Sequence, residues 1–146
     1  LRLSDVVFSN IAVNKGIKNY PTQDHLENLR NLGRNLYDPI YDHFQGNIKI
    51  TSGYRSFELN KLVGGSSTSQ HSIGQALDVV GVNGVSNSEI YRYILNNLNY
   101  HQIIWEFGDK NNPAWVHMGL KVNANEKINT RAIGTRSNPQ YIPFKQ

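Results

Sequence analysis

Two residues with metal-binding side chains, His71 and Asp78, lie seven positions apart in the stretch of residues 69–78. The segment Ala76 to Val80 has the apolar character of a strand, whereas the Ser, Thr and Gly residues before His71 are typical of a loop. An imidazole on a loop and a carboxylate on a strand can converge on one ion. A chain of this composition contains such a pair by chance in roughly one case in five, so the spacing alone is weak evidence.

A catalytic zinc is usually held by three protein ligands, with a further position open for water. His117 is the third candidate, in an alternating segment that predicts a strand from Ala114 to Val122. Alternation places His117 on the face opposite to Val116 and Met118, which are expected to face the core. A second interpretation is a partly buried histidine beside Trp115 whose ring is satisfied by a backbone carbonyl. Residue type alone favours this second interpretation.

The composition limits the class of protein. With 146 residues the chain is near the usual size of one domain, and we expect a single domain over 1–146 with a core at 21–122 and a tail at 123–146. The absence of cysteine excludes thiolate metal sites and a thiol nucleophile. The net charge of +4 comes from scattered residues, so no nucleic-acid partner is expected. No stretch approaches the ~20 apolar residues of a membrane span.

Helical and strand periodicities place the candidate ligands on an α+β scaffold, in which helices pack on a small, mainly antiparallel sheet. Thr22 is expected to cap a long helix that Pro39 kinks or divides. Ser86 is expected to cap a second helix, over residues 87–97. No helix or strand is predicted in the tail, which Tyr141, Ile142 and Phe144 are expected to attach to the body. Strands are predicted at residues 48–51, 76–80, 102–107 and 114–122, the last two as a hairpin, and a short helix at 57–63.

The combined motifs resemble the zinc D-Ala-D-Ala peptidase family, peptidase family M15, which includes D-Ala-D-Ala carboxypeptidases and L-alanyl-D-glutamate endolysins. The N-terminal region resembles the branch found in phages. The order and spacing of three blocks match over about residues 48–122, and the family implies a fold shared with Hedgehog domains. The blocks are Ser-Gly-Tyr-Arg-Ser at 52–56, Ser69-Gln70-His71 followed by Gly74, Ala76 and Asp78, and Trp115-Val116-His117.

The resemblance implies that His71, Asp78 and His117 hold one Zn²⁺ ion. It further implies a metallopeptidase that hydrolyses peptidoglycan stem peptides at bonds involving D-amino acids, as a carboxypeptidase or as an endopeptidase. Such a protein acts at the bacterial cell wall, as a periplasmic or extracellular protein, a phage lysin or a virion component. The mild positive charge suits an anionic wall, and we expect a monomer.

The sequence leaves two candidates for the general base. Several family members carry an acid three residues before the last histidine, where this chain has Ala114. Glu106, across the predicted hairpin from His117, is the favoured proton acceptor, and Asp109 is the second candidate. Because of Ala114, an alternative function stays open, namely a non-catalytic zinc-binding or virion structural protein on the same fold.

The remaining candidates concern the substrate. The resemblance assigns Arg55 to a substrate carboxylate or to the scissile carbonyl, for which a planar guanidinium is suited. A structural ion pair is the alternative for Arg55. Ser69 and Gln70 are candidates for hydrogen bonds to the substrate, although shaping of the loop explains them equally well. Trp115 is a candidate for lining the cleft.

Overall fold

A computed structural model describes residues 1–144, which form an α+β fold around one six-stranded sheet. The strand order is β1-β2-β4-β3-β5-β6, and neighbouring strands are antiparallel except for the parallel pair β3 and β5. The predicted α+β class with a mainly antiparallel sheet is therefore confirmed. The strands are β1 (Ile48–Ser52), β2 (Ala76–Gly81), β3 (Gln102–Glu106), β4 (Trp115–Gly119), β5 (Ile128–Thr135) and β6 (Asn138–Pro143).

The helices within this part of the chain begin with two short ones, at residues 3–7 and 10–15. A 3₁₀ helix at Gln70–Ile73 leads into β2. None of the described helices combines the length and hydrophobicity that a bilayer crossing requires. The α-helices are α1 (Leu3–Val7), α2 (Asn10–Lys15), α3 (Gln23–Leu32), α4 (Asp38–His43), α5 (Phe57–Leu62) and α6 (Asn87–Asn97).

The long helical segment begins where Thr22 was expected to cap it. The Thr22 hydroxyl accepts a hydrogen bond from the backbone N–H of His25. A π-helical turn, Gly33–Tyr37, joins α3 to α4, and Pro39 lies in the first turn of α4. Proline is tolerated in a first turn, and the wider π turn before it re-routes the backbone hydrogen bonds. The chain therefore stays helical through Pro39.

The predicted helix over residues 87–97 is confirmed together with its capping box. The Ser86 hydroxyl accepts from the backbone N–H of Glu89 at 3.1 Å, and the Glu89 carboxylate accepts from the N–H of Ser86 at 2.7 Å. Both groups would otherwise be unpaired at a helix start. α6 then packs Ile90, Tyr91 and Ile94 into the core.

One face of the sheet carries the hydrophobic core, and the other face carries the polar candidates. Residues facing α3, α4 and α6 are fully buried. Because side chains alternate along a strand, Asp78, Glu106 and His117 project from the opposite face. The core residues of the sheet are Leu77 and Val79 on β2, Ile103 and Trp105 on β3, and Val116 and Met118 on β4.

The C-terminal segment differs from the sequence prediction, which places no regular element there. β5 and β6 form a hairpin, and β5 pairs with β3. The strands escape prediction because their side chains are mostly half-buried or exposed at the sheet edge, which leaves no apolar alternation to detect. Among the expected anchors, Phe144 packs against Tyr91 and Trp105 with ring centroids 5.7 and 5.0 Å apart, whereas Tyr141 is largely exposed.

Candidate metal centre

Three potential metal ligands meet on the polar face of the sheet. Asp78 on β2 is directly opposite His117 on β4, so strand pairing places the two side chains next to each other. His71 comes from the 3₁₀ helix that precedes β2. One ligand atom from each of the three lies within 4.8 Å of the others, and none of the three residues is exposed. The structure thus brings together the three residues that the sequence proposes as metal ligands.

Asp78 lies at the centre of this cluster. Its Oδ1 is 3.0 Å from His117 Nδ1 and 3.3 Å from His71 Nε2. Atoms bound at about 2.0–2.1 Å to a tetrahedral zinc lie about 3.3–3.4 Å apart, and these two separations are close to that value. Burial works to raise the pKa of Asp78, but the imidazoles of His71 and His117 bring it below its ordinary value. The carboxylate therefore stays charged, as a metal ligand must.

A backbone carbonyl fixes the tautomer of His71. Its Nδ1 is 2.9 Å from the Gly53 carbonyl oxygen, which only accepts, so Nδ1 carries the hydrogen. Nε2 then faces Asp78 Oδ1 at 3.3 Å. Two acceptors this close need a proton or a cation between them. Glycine at position 53 lets the chain pass close to α1, because a Cβ there would lie 2.1 Å from the Val6 carbonyl oxygen.

The Gln70 side chain contacts the outer nitrogen of His117. Gln70 Oε1 is 3.1 Å from His117 Nε2, and His117 Nδ1 is 3.0 Å from Asp78 Oδ1, so with a metal bound Nε2–H would donate to Gln70 and Nδ1 would be left for the ion. Gly119 leaves room for this contact, because a Cβ there would come within 2.9 Å of Gln70 Oε1. The sequence makes Gln70 a candidate for substrate binding, whereas in the structure its amide contacts His117, a candidate metal ligand.

Glu106 lies buried on the same face. It is opposite Trp115 in the register of β3 and β4, and the adjacent same-face pair is Ile104 with His117. Burial raises its pKa to about 7, with His117 acting to lower it and Asp78 to raise it. No described residue makes a hydrogen bond or an ion pair with its carboxylate. A buried carboxylate with a near-neutral pKa beside a metal cluster is suited to proton transfer.

Asp109, the second candidate base, is engaged elsewhere. Its Oδ1 accepts hydrogen bonds from the backbone N–H groups of Asn111 and Asn112, at 2.7 and 3.0 Å, in the turn between β3 and β4. These hydrogen bonds lower its pKa, and the side chain is exposed. A carboxylate that holds a turn together has little tendency to take a proton. Of the two candidates, the geometry favours Glu106.

Arg55 lies beside the cluster without an acidic partner. Its Nη2 donates to Ser69 Oγ at 3.4 Å, and its backbone N–H donates to the His71 carbonyl at 3.2 Å. Burial lowers its pKa, with Asp78 acting in the opposite direction. Nε is buried without a hydrogen-bond partner, and no carboxylate of residues 1–144 lies within ion-pair distance. The alternative of a structural ion pair is therefore not supported.

Ser69 shapes the loop that carries His71. Its hydroxyl accepts a hydrogen bond from the backbone N–H of His71 at 3.3 Å and begins the 3₁₀ helix. The same oxygen accepts from Arg55. Ser69 thus links the arginine to the histidine loop, which agrees with the loop-shaping interpretation of this residue.

Trp115 is half-buried next to the cluster. The C-terminal hairpin adds two residues to this face of the sheet that the sequence alone does not indicate. The guanidinium carbon of Arg136 lies 5.0 Å from the centroid of the Trp115 ring. Tyr141 on β6 shares a row with Glu106, because Ala132 on β5 is paired with both. Only a strand prediction in the tail would have connected Arg136 and Tyr141 with this face.

Comparison with known proteins is in line with this geometry. The family model described as Peptidase M15 matches residues 1–119. The match includes the three candidate ligands, Arg55 and Glu106, and ends with β4, before the C-terminal hairpin. No curated protein matches the chain.

Gln70→Ala should weaken the binding of added Zn²⁺ about 10- to 100-fold, because His117 loses the acceptor that holds its Nδ1 towards Asp78. The affinity is measured by competition with a chromogenic chelator. Gln23→Ala is the matched control, since Gln23 is exposed at the start of α3. An unchanged affinity of the Gln70→Ala protein would show that the amide does not orient the ligand.

Glu106→Gln should stabilise the metal-free protein at pH 8 and leave its stability unchanged at pH 4. The pKa of Glu106 is raised on folding, so the folded protein holds the proton more tightly, and stability is lost as pH rises from about 4 to 7. Glutamine removes this ionisation, which should increase the free energy of unfolding by about 1–3 kcal/mol at pH 8. Denaturant unfolding in the presence of a chelator measures this free energy. Glu126→Gln is the control, because Glu126 is exposed. An equal effect at both pH values would contradict the expected burial cost.

Proposed function

The chain belongs to the peptidase M15 family, and we propose that it is a zinc-dependent peptidase that cleaves peptidoglycan stem peptides at bonds involving D-amino acids. Family membership by itself assigns the chain to the hydrolases and indicates a peptide substrate. One observation carries the proposal: the His71, Asp78 and His117 ligand atoms converge within 4.8 Å on the sheet face where Glu106 is buried. The mild positive charge of the chain suits an anionic cell wall as its place of action.

The donor set supports zinc as the metal. Two imidazoles and one carboxylate are typical ligands of catalytic Zn²⁺, and together they leave the bound ion a net charge of about +1. The Gly53 carbonyl and the Gln70 amide oxygen contact the outer ring nitrogens, so that both imidazoles would direct a lone pair to a bound ion. When bound, zinc supplies a Lewis acid that activates water near neutral pH and polarises a peptide carbonyl.

Glu106 is the proposed general base. Its carboxylate has no hydrogen-bond partner among residues 1–144, and burial keeps its pKa near neutrality. In the reaction it would accept a proton from the attacking water and deliver that proton to the amine nitrogen that leaves. The proton passes through one carboxylate, which therefore ends the cycle ionised as it began.

Arg55 is the proposed anchor for the substrate. Its guanidinium is tied to Ser69, and its buried Nε has no partner. Such a cation can bind a substrate carboxylate or stabilise the negative charge that develops on the scissile carbonyl oxygen. The half-buried Trp115 provides an aromatic wall next to it.

The purified protein is expected to contain a single zinc ion per chain and to release new amino or carboxyl termini from purified peptidoglycan. A chelator should abolish the release and added zinc should restore it, because the proposed reaction needs the Lewis acid. Mass spectrometry of the muropeptides distinguishes carboxypeptidase from endopeptidase action. Zinc without cleavage would favour the non-catalytic alternative that Ala114 leaves open, and a protein that binds no zinc would contradict both.

Glu106→Gln should keep its zinc and lower kcat by about 10²- to 10⁴-fold, because the amide cannot accept the proton. Turnover is measured on the muropeptide that the wild-type protein cleaves, and metal content by mass spectrometry. Asp109→Asn is the matched control, since asparagine Oδ1 can still accept the two backbone hydrogen bonds of the turn. Full activity of the Glu106→Gln protein would remove this residue as the base.

A further inference from the structure

The C-terminal hairpin brings a cation to the candidate site from outside the region that the family model matches. The match ends at residue 119, whereas β5 and β6 lie within residues 128–143. β5 pairs with β3, the strand that carries Glu106. The hairpin thus extends the polar face of the sheet next to the proposed base.

The cation is Arg136, in the turn between β5 and β6. Its guanidinium carbon lies 5.0 Å from the centroid of the Trp115 ring, within the range of a cation–π contact. Trp115 is paired with Glu106 and lies two residues before His117 on β4. A long arginine side chain from an exposed turn is thereby held on the wall of the site.

Electrostatic effects are in line with this position. The charge of Arg136 acts to lower the pKa of Glu106 and also the pKa of Arg55. It therefore acts on both the proposed base and the proposed substrate anchor. In each case burial has the larger effect on the pKa. The placement of Arg136 therefore rests on its contact with Trp115, and these electrostatic effects agree with it.

Arg136 has no acidic partner within the described part of the chain, and neither has Arg55. The formal charges of these two arginines balance those of Asp78 and Glu106. A bound divalent cation would then leave the site with about two positive charges, which favours an anionic ligand. An arginine presents two parallel N–H donors that match a carboxylate.

We propose that Arg136 is a specificity-determining residue that binds a free carboxylate of the peptide substrate near the scissile bond. This inference rests on the proposed function, because it names the chemistry of the substrate for the same site. It predicts that the protein prefers a peptide with that carboxylate over the same peptide in which the group is amidated. This preference would be produced by Arg136 in the hairpin and not by the candidate metal ligands.

Two synthetic stem peptides that differ only in a free or an amidated carboxylate next to the scissile bond provide the test. Arg136→Gln should raise KM for the carboxylate peptide about 10- to 100-fold, with a smaller change in kcat and little change for the amidated peptide. Arg136→Lys should restore part of the discrimination, because it keeps the charge and loses the two-point contact. Equal losses for both peptides, or no loss for either, would overturn the inference.

The matched control is Lys127→Gln, which also removes one positive charge from the C-terminal segment. Lys127 Nζ lies over the Tyr100 ring, 5.1 Å from its centroid, and the residue is exposed. Its substitution should leave the ratio between the two peptides unchanged. A change as large as that of Arg136→Gln would indicate a general charge effect and would overturn the assignment to Arg136.

Equilibrium binding separates this inference from the proposed function. Calorimetry of both peptides with the zinc-loaded protein requires no turnover. A protein that binds the carboxylate peptide in an Arg136-dependent way but cleaves neither peptide would contradict the proposed peptidase and keep the inference. A protein that cleaves both peptides equally well, and binds them equally with or without Arg136, would keep the peptidase and overturn the inference.

Discussion

The pairing of Asp78 with His117 across two antiparallel strands is the constraint on which the candidate site depends. A slip of one residue in this register would turn His117 into the core and bring Val116 to the polar face. Such a slip is costly, because Val116 and Met118 are fully buried against the helices. The same hydrophobic burial that stabilises the sheet therefore holds these two candidate ligands together.

The cluster also illustrates how a buried polar site is kept in one arrangement. Each imidazole has an acceptor on the side away from Asp78, the Gly53 carbonyl for His71 and the Gln70 amide for His117. These contacts satisfy the outer ring nitrogens and direct the inner ring nitrogens towards Asp78 Oδ1. Each inner nitrogen needs a proton or a cation between itself and the carboxylate. Hydrogen bonds behind the candidate ligands thus hold them in an arrangement that suits a metal.

The surroundings of the cluster come from two parts of the chain. Residues 1–119, which the family model matches, contain the three candidate ligands, Arg55 and Glu106. The hairpin beyond them adds Arg136 and widens the polar face by two strands. Because a strand added at a sheet edge leaves the inner register unchanged, the hairpin adds to the wall of the site without disturbing the candidate ligands.

Local chemistry made much of the scaffold predictable from the sequence. The α+β class, the capped helix over residues 87–97 and the first four strands follow from hydrophobic periodicity and capping, which act over a few neighbouring residues. His71, Asp78 and His117 were identifiable as ligand candidates by residue type, by alternation along their strands and by resemblance to a family. Glu106 was identifiable because a hairpin with a short connection places its strand beside that of His117.

The tertiary structure decided what depends on distant contacts. The hairpin of residues 128–143 is stabilised by pairing with β3, and its polar strands carry no periodic signal of their own. The preference for Glu106 over Asp109 as the proposed base depends on burial, and burial is set by the packing of the whole sheet. The contact of Gln70 with His117 joins residues 47 positions apart. The residue types and their local pattern thus determined which groups could bind a metal, and long-range pairing decided which groups surround it.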